Sequence, residues 1–154
     1  MLLSSCPYVK PRRTDIVRGS ILFGVAATAA LFVSAPAYAQ DAQVSRGKYL
    51  VEQVARCPEC HTPRTETGEL DRARWMKGAT LAHAASTPAE EWRPQSPDIT
   101  STSTLWSRWG QDAVVNFLAT ARNPRGVHAS APMPPFTMRT EDAAAVVAYL
   151  KTVP

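Results

Sequence analysis

The chain has 154 residues, of which 45% are hydrophobic and 19% are charged, and it carries a formal net charge of +4. That charge comes mostly from the N-terminus, because the first 39 residues hold four of the 17 Lys and Arg residues and one of the 13 acidic residues. The rest of the chain is close to neutral, so its charge gives no support to nucleic-acid binding.

The first 39 residues have the pattern of a secretory signal peptide. Basic residues precede an almost wholly apolar run over residues 21–33, and Ala37-Tyr38-Ala39 supplies the small residues of a cleavage site. We expect cleavage after Ala39, which leaves residues 40–154 as a single domain exported to the periplasm. The alternative is an anchor retained in the membrane, although the apolar run is short for spanning ~30 Å of hydrocarbon. Cleavage also removes Cys6, so that Cys57 and Cys60 are the cysteines that remain.

Residues 44–55 are predicted to form the first helix. Val44, Val51 and Val54 follow helical spacing, Gly47 shares their side, and Asp41 stands upstream as a candidate cap. This helix leads directly into the motif Cys57-Pro58-Glu59-Cys60-His61. Two cysteines at this spacing followed by histidine are typical of a covalently attached haem c. The sulfurs would add to the haem vinyl groups, and His61 would bind the iron as the proximal ligand.

Residues 62–104 show little periodicity and contain scattered prolines and glycines, which predicts a long irregular loop with a turn of helix near residues 80–85. So long a loop is unusual in a compact domain, and we interpret it as wrapping a flat cofactor.

Two further helices are predicted. The first covers residues 111–122, where Val114, Phe117, Leu118 and Ala121 form an apolar stripe. Thr140 is predicted to cap the last helix, whose positive end carries Glu141 and Asp142 and whose buried stripe comprises Ala143, Val146, Val147 and Leu150. No segment alternates as a strand should. The predicted fold is therefore all-α, with three to five helices and long loops around a covalent haem.

An electron-transfer haem needs a second axial ligand, and a methionine sulfur raises its reduction potential. Met133 is the preferred candidate, because Pro132 and Pro134 hold its backbone out of helical conformation. The alternatives are Met76, Met138, His83 and His128. Aromatic residues are predicted to line the haem pocket or the core, namely Trp75, Trp92, Trp106, Trp109, Phe117 and Phe136. Arg64 and Lys77 are weaker candidates for pairing with the haem propionates.

Taken together, these residues resemble the class I c-type cytochromes, and in particular the single-haem modules in cytochrome subunits of bacterial periplasmic dehydrogenases. The matching segments are residues 46–51, 57–64, 97–100, 132–136 and 141–150, together with Trp106. The resemblance implies axial ligation by His61 and Met133, and a close crossing of the first and last helices at Gly47 and Tyr149. It is imperfect at Asp98, where the family often has Asn, and at residues 101–104, where a Gly-rich turn is usual.

The expected function is that of a periplasmic electron carrier rather than an enzyme, with one covalent haem c and its iron per chain. Cys57, Cys60, His61 and Met133 would hold the haem, and the partners would be redox proteins such as a dehydrogenase, an oxidase or another cytochrome. One alternative is an open-site haem protein, such as a gas sensor or a peroxidase-like protein. Another is a thiol-disulfide oxidoreductase that uses the Cys-Pro-Glu-Cys pair.

Overall fold

A computed structural model describes residues 35–81 and 92–154. Its helices are α1 (Ala35–Tyr49), α2 (Pro58–His61), α3 (Leu105–Trp109), α4 (Gln111–Thr120) and α5 (Thr140–Leu150). A π-helical turn (Leu50–Val54) extends α1, and a short 3-10 turn covers Arg72–Arg74. The predicted all-α class is confirmed. Most of the predicted signal peptide, with Cys6, lies outside the described residues, as does His83.

Helices α1 and α5 cross at the centre of the core. A Cβ atom built on Gly47 of α1 would lie 1.9 Å from the carbonyl oxygen of Ala145 and 2.8 Å from the Cβ atom of Tyr149. Only a residue without a side chain allows so close an approach. The crossing of Gly47 and Tyr149 implied by the resemblance is therefore present. Beside it, the Tyr149 hydroxyl donates a hydrogen bond to Glu52, and burial raises the pKa of Tyr149.

The predicted first helix is correct in kind and in most of its apolar side, but wrong in its start and at Val54. α1 already begins at Ala35, so Asp41 lies inside the helix and does not cap it. Val51 is fully buried, whereas Val54 is 56% exposed. The π-helical turn explains the difference. Ala55 N donates a hydrogen bond to Leu50 O, five residues earlier, at 2.8 Å. Because this turn is wider than an α-helical turn, the positions after it rotate away from the buried stripe.

The later helices follow their prediction closely. Helix α4 ends at Thr120, two residues before the predicted end, where Ala121 turns into the left-handed region at φ 57°. Helix α5 buries Ala143, Val146, Val147 and Leu150 as predicted. Thr140 is not its cap, because that place belongs to Arg139, whose side chain makes no capping hydrogen bond.

The long segment between α2 and α4 is more ordered than predicted. Strands β1 (Ala79–Thr80) and β2 (Gln95–Ser96) pair in antiparallel fashion, and α3 precedes α4. Thr80 therefore lies in a strand, and residues 82–85 of the predicted helical turn lie outside the described residues. No helix in the described part of the chain has the length and apolar character that crossing a membrane requires.

Candidate functional site

The described residues form a cavity of about 1140 Å³ that is lined by both cysteines and the histidine of the motif. Its walls come from α2, the segment after β2, α3, α4, the loop over residues 123–134 and α5. Most of the wall is apolar, including Ile99, Leu105, Trp109, Val114, Phe117 and Leu118. A large apolar cavity with a few polar groups is the usual form of a cofactor site.

His61 is fixed in one orientation at this cavity. Its side chain is buried, and its Nδ1 lies 2.8 Å from the carbonyl oxygen of Pro97. A carbonyl can only accept, so Nδ1 donates the hydrogen bond and carries the ring proton. Burial lowers the pKa of His61, which favours the neutral ring. Nε2 is then the nitrogen with a free lone pair, as an iron ligand requires.

The backbone around Pro97 is held against α2 by small residues and short hydrogen bonds. Gly78 has φ +84°, and a Cβ atom on it would lie 2.7 Å from Ser96 O and 2.9 Å from Asp98 N. Gly78 N donates to His61 O at 2.8 Å, and Ser96 Oγ donates to Cys60 O at 2.5 Å. The second bond ties the Pro97 segment directly to the motif over residues 57–61, and the first ties the same motif to Gly78, which packs against that segment.

The loop that departs from the family pattern is closed by its own side chains. Asp98 Oδ1 accepts from Thr100 N at 2.7 Å, and Ser103 Oγ donates to Asp98 O at 2.6 Å. Trp106 Nε1 donates to Thr100 O at 2.6 Å. Hydrogen bonds between the backbone and the side chains of Asp98, Ser103 and Trp106 therefore stabilise this turn, which contains no glycine.

The two cysteines lie at the cavity, and the burial of Cys57 bears on the thiol-disulfide alternative. Both line the cavity; Cys57 is half-buried and Cys60 is exposed. Burial raises the pKa of Cys57 to about 11. Thiol-disulfide exchange needs a thiolate, which a lowered pKa provides. The environment of Cys57 thus opposes the thiol-disulfide alternative.

Of the three methionines in the described residues, Met133 is the one that lines the cavity. Met76 is fully buried in the core, and its backbone N donates to Thr62 Oγ1 at 3.0 Å. Met138 packs against the same core. Among the alternatives, His128 does reach the cavity wall, where its side chain is exposed.

Two of the predicted aromatic residues line the cavity as well as packing against the core. Trp109 and Phe117 line the cavity, and their rings meet edge to face at 5.4 Å. Trp75, Trp106 and Phe136 pack against the core, and Trp92 is half-buried.

The predicted propionate partners are both engaged elsewhere. Arg64 pairs with Glu59 at 2.9 Å, and Lys77 donates to Thr100 and Thr102. Neither residue lines the cavity, whereas three arginines that the sequence analysis did not single out do: Arg93, Arg108 and Arg125.

The residues present fit a covalently attached haem. Two thiols and an imidazole with one free nitrogen stand together at an apolar cavity that exceeds the upper end, about 1,000 Å³, of ordinary ligand pockets. Attachment through Cys57 and Cys60 would place the ring beside His61. Fold and site thus define a small helical haem-binding protein.

Comparison with known proteins agrees with that class. The profile of the family described as "Cytochrome c" matches residues 44–154. The chain belongs to the cytochrome c family. Its cofactor is haem c, covalently bound, with its iron.

The chain is similar to parts of larger cytochromes. It is 35% identical over 114 residues to a "Diheme cytochrome c-type" protein of Cereibacter sphaeroides, an alignment that covers 71% of this chain and 35% of that protein. It is 37% identical over 83 residues to the cytochrome c subunit of a quinone-dependent alcohol dehydrogenase of Gluconobacter oxydans, covering 53% of this chain and 17% of that subunit. The fructose dehydrogenase cytochrome subunit of Gluconobacter japonicus is 30% identical over 118 residues, with coverages of 71% and 22%. The chain therefore spans about a third or less of these relatives.

Proposed function

We propose that this protein is a periplasmic carrier of single electrons, with one haem c attached to Cys57 and Cys60 and axial ligation by His61 and Met133. The observation that carries the proposal is that one cavity brings these four residues together, although Met133 lies 72 positions after His61 in the chain. The bound haem iron supplies the one-electron couple.

The chain's own contribution is to hold the ligands still and to keep water away. His61 is oriented by the Pro97 carbonyl, and the apolar walls lower the dielectric around the site. Met133 is held between Pro132 and Pro134, and its backbone N donates to Ser130 O at 3.1 Å. Ligands fixed in both redox states change little when an electron moves. This arrangement favours an electron carrier over an enzyme or sensor with an open iron site.

A dehydrogenase is the proposed redox partner. Relatives of this chain are the cytochrome subunits of alcohol and fructose dehydrogenases. Because the chain corresponds to only part of those subunits, we propose that it supplies one haem module for the same kind of exchange.

Export to the periplasm rests on the signal-peptide pattern and on the exposed start of α1. Residues 38–43 are all exposed, so cleavage after Ala39 would remove no buried side chain of this stretch. In a periplasmic fraction, N-terminal sequencing should begin at Gln40. A chain that still begins at Met1 and sediments with membranes would contradict cleavage.

The ligand assignment is tested by Met133→Ala, with Met138→Ala as the matched control because Met138 does not line the cavity. We expect Met133→Ala to keep haem on a denaturing gel, to lower the reduction potential by on the order of 0.1 V and to open the iron to CO. The control should change none of the three. An unchanged potential and Met–iron band in Met133→Ala would remove Met133 from the assignment, and His128→Ala would then be examined in the same way. Loss of haem stain from the wild-type chain would reject covalent attachment.

A further inference from the structure

Asp98 is the acidic residue among the described residues that line the cavity. It is half-buried, and its backbone N is bonded to the carbon of the Pro97 carbonyl, whose oxygen accepts the hydrogen bond from His61 Nδ1 at 2.8 Å. An aspartate carries a unit negative charge at neutral pH. The residue that follows the histidine's hydrogen-bond partner therefore brings a negative charge to the site.

Hydrogen bonds hold the side chain and the backbone of Asp98 in place. Its Oδ1 accepts from Thr100 N at 2.7 Å, and its backbone oxygen accepts from Ser103 Oγ at 2.6 Å. Gly78 packs so closely that a Cβ atom on it would lie 2.9 Å from Asp98 N. A charge held at one place in partly apolar surroundings acts through a lower effective dielectric than a charge in bulk water. The Asp98 carboxylate is thus a fixed source of negative potential at the cavity.

The electric field of Asp98 reaches the imidazole ring of His61. Burial lowers the pKa of His61, whereas the hydrogen bond with the Pro97 carbonyl and the negative charge of Asp98 both act to raise it. A field that favours positive charge on the ring also favours positive charge on an ion bound to the ring. An iron bound at Nε2 carries one more positive charge when it is oxidised than when it is reduced, so the oxidised state gains more from this field.

We propose that the Asp98 carboxylate lowers the reduction potential of the haem by stabilising the positive charge that the iron gains on oxidation. This inference rests on the proposed function, because it requires His61 as an iron ligand. Polar and charged groups around a ligand tune the potential of the metal that the ligand binds. A lower potential makes the reduced protein the stronger electron donor, so Asp98 favours delivery of the electron to an acceptor.

The test compares Asp98→Asn with the wild-type holoprotein by spectroelectrochemistry. Asparagine keeps an oxygen that can accept from Thr100 N, but it removes the charge. The arginines that line the cavity are the same in both proteins, so the comparison isolates the carboxylate. At one fixed electrode potential, we expect the ferric-to-ferrous ratio of the variant to be about fivefold lower than that of the wild type. That ratio corresponds to a reduction potential ~40 mV higher, at ~59 mV per tenfold change for one electron.

Asp112→Asn is the matched control, because it removes the same charge at an exposed position that does not line the cavity. Its ferric-to-ferrous ratio should stay close to that of the wild type. Asp98→Glu and Asp98→Gln form a second comparison, because both lengthen the side chain equally and only the first keeps the charge. The Gln variant should have a several-fold lower ratio than the Glu variant. This pair carries the test if Asp98→Asn does not assemble with haem.

Several results would overturn the proposal. An unchanged ratio in Asp98→Asn would mean that the charge does not act on the iron. An equal change in Asp112→Asn would assign the effect to the net charge of the protein. Equal ratios in Asp98→Glu and Asp98→Gln, or a shift accompanied by loss of the wild-type Met–iron band, would assign Asp98 a structural role in its turn. Failure of the wild type to undergo a reversible one-electron change would instead count against the proposed electron-carrier function, and this inference would fall with it.

Discussion

At the scale of single residues, Gly68 and Gly78 show how the same backbone conformation can have different importance. Both have strongly positive φ, +87° and +84°. A Cβ atom on Gly68 would meet nothing within 4 Å, whereas one on Gly78 would collide with the backbone of residues 96–98. Position 78 therefore requires glycine for two reasons: the backbone has a positive φ, and there is no space for a Cβ atom.

We expect Gly78→Ala to lower the free energy of unfolding by on the order of 3 kcal/mol and to disturb the His61 environment in the haem spectrum. Gly68→Ala is the control, because it adds the same unfavourable φ without the collision, and it should cost about 1 kcal/mol. Urea unfolding measures both costs. Equal losses in the two variants would show that the backbone conformation alone accounts for the effect.

The functional groups of the site could be predicted from the sequence where they belong to side chains, but not where they belong to the backbone. The spacing of Cys57, Cys60 and His61 and the prolines around Met133 singled out four residues that the structure places on one cavity. The Pro97 carbonyl escaped prediction as the partner of His61, because every residue has such an oxygen. Arg93, Arg108 and Arg125 were not predicted as cavity residues, because they come from segments that are distant in the sequence and meet only in the folded chain.

At the scale of secondary-structure elements, the contact between α1 and α5 depends on one missing side chain. Gly47 lets the Ala145 backbone approach to a distance that no Cβ atom allows. The Arg46–Asp142 ion pair, 3.0 Å long, links the same two helices at the surface. Exposed ion pairs contribute little, so the packing at Gly47 dominates.

Gly47→Ala should therefore destabilise the protein by about 3 kcal/mol, although alanine is the better helix former. The control is Ser45→Ala, at an exposed position in the same helix, which should leave the midpoint of thermal unfolding nearly unchanged. If the Gly47→Ala protein were as stable as the wild type, α1 and α5 could move apart without loss of unfolding free energy, which would contradict this prediction.

Elements with a sustained apolar stripe were predicted well, and short or distorted ones were not. Helix α4 matches its predicted range to within two residues at each end, and α5 buries the whole of its predicted stripe. Helix α3 has five residues, too few for a stripe to repeat. The π-helical turn could not be predicted from the sequence, because the analysis of hydrophobic periodicity assumes 3.6 residues per turn throughout a helix.

At the scale of the whole molecule, the fold depends on a cofactor to fill its centre. The cavity of about 1140 Å³ lies among α3, α4 and α5, where a small domain would otherwise place its core. Protein interiors are close-packed, and an unfilled space of this size would leave the apolar side chains around it without packing partners. The haem is thus expected to act as part of the core.

The double variant Cys57→Ser and Cys60→Ser tests this dependence. We expect it to lack haem on a denaturing gel, to lose much of its helical circular dichroism and to unfold without a cooperative transition. A haem-free variant that kept native helicity and a sharp thermal transition would show that the polypeptide folds alone.

The hydrogen bond between His61 and Pro97 has a consequence for how the site withstands mutation. Its acceptor is a main-chain oxygen, so no change of residue type at position 97 deletes it. A substitution at position 97 therefore does not remove the hydrogen-bond acceptor of His61. The hydrogen bond is instead sensitive to a substitution at Gly78, which does not line the cavity, because an added side chain there would displace the segment that carries the Pro97 oxygen. Variants that impair electron transfer are therefore expected at an apparently inert glycine as well as among the ligands.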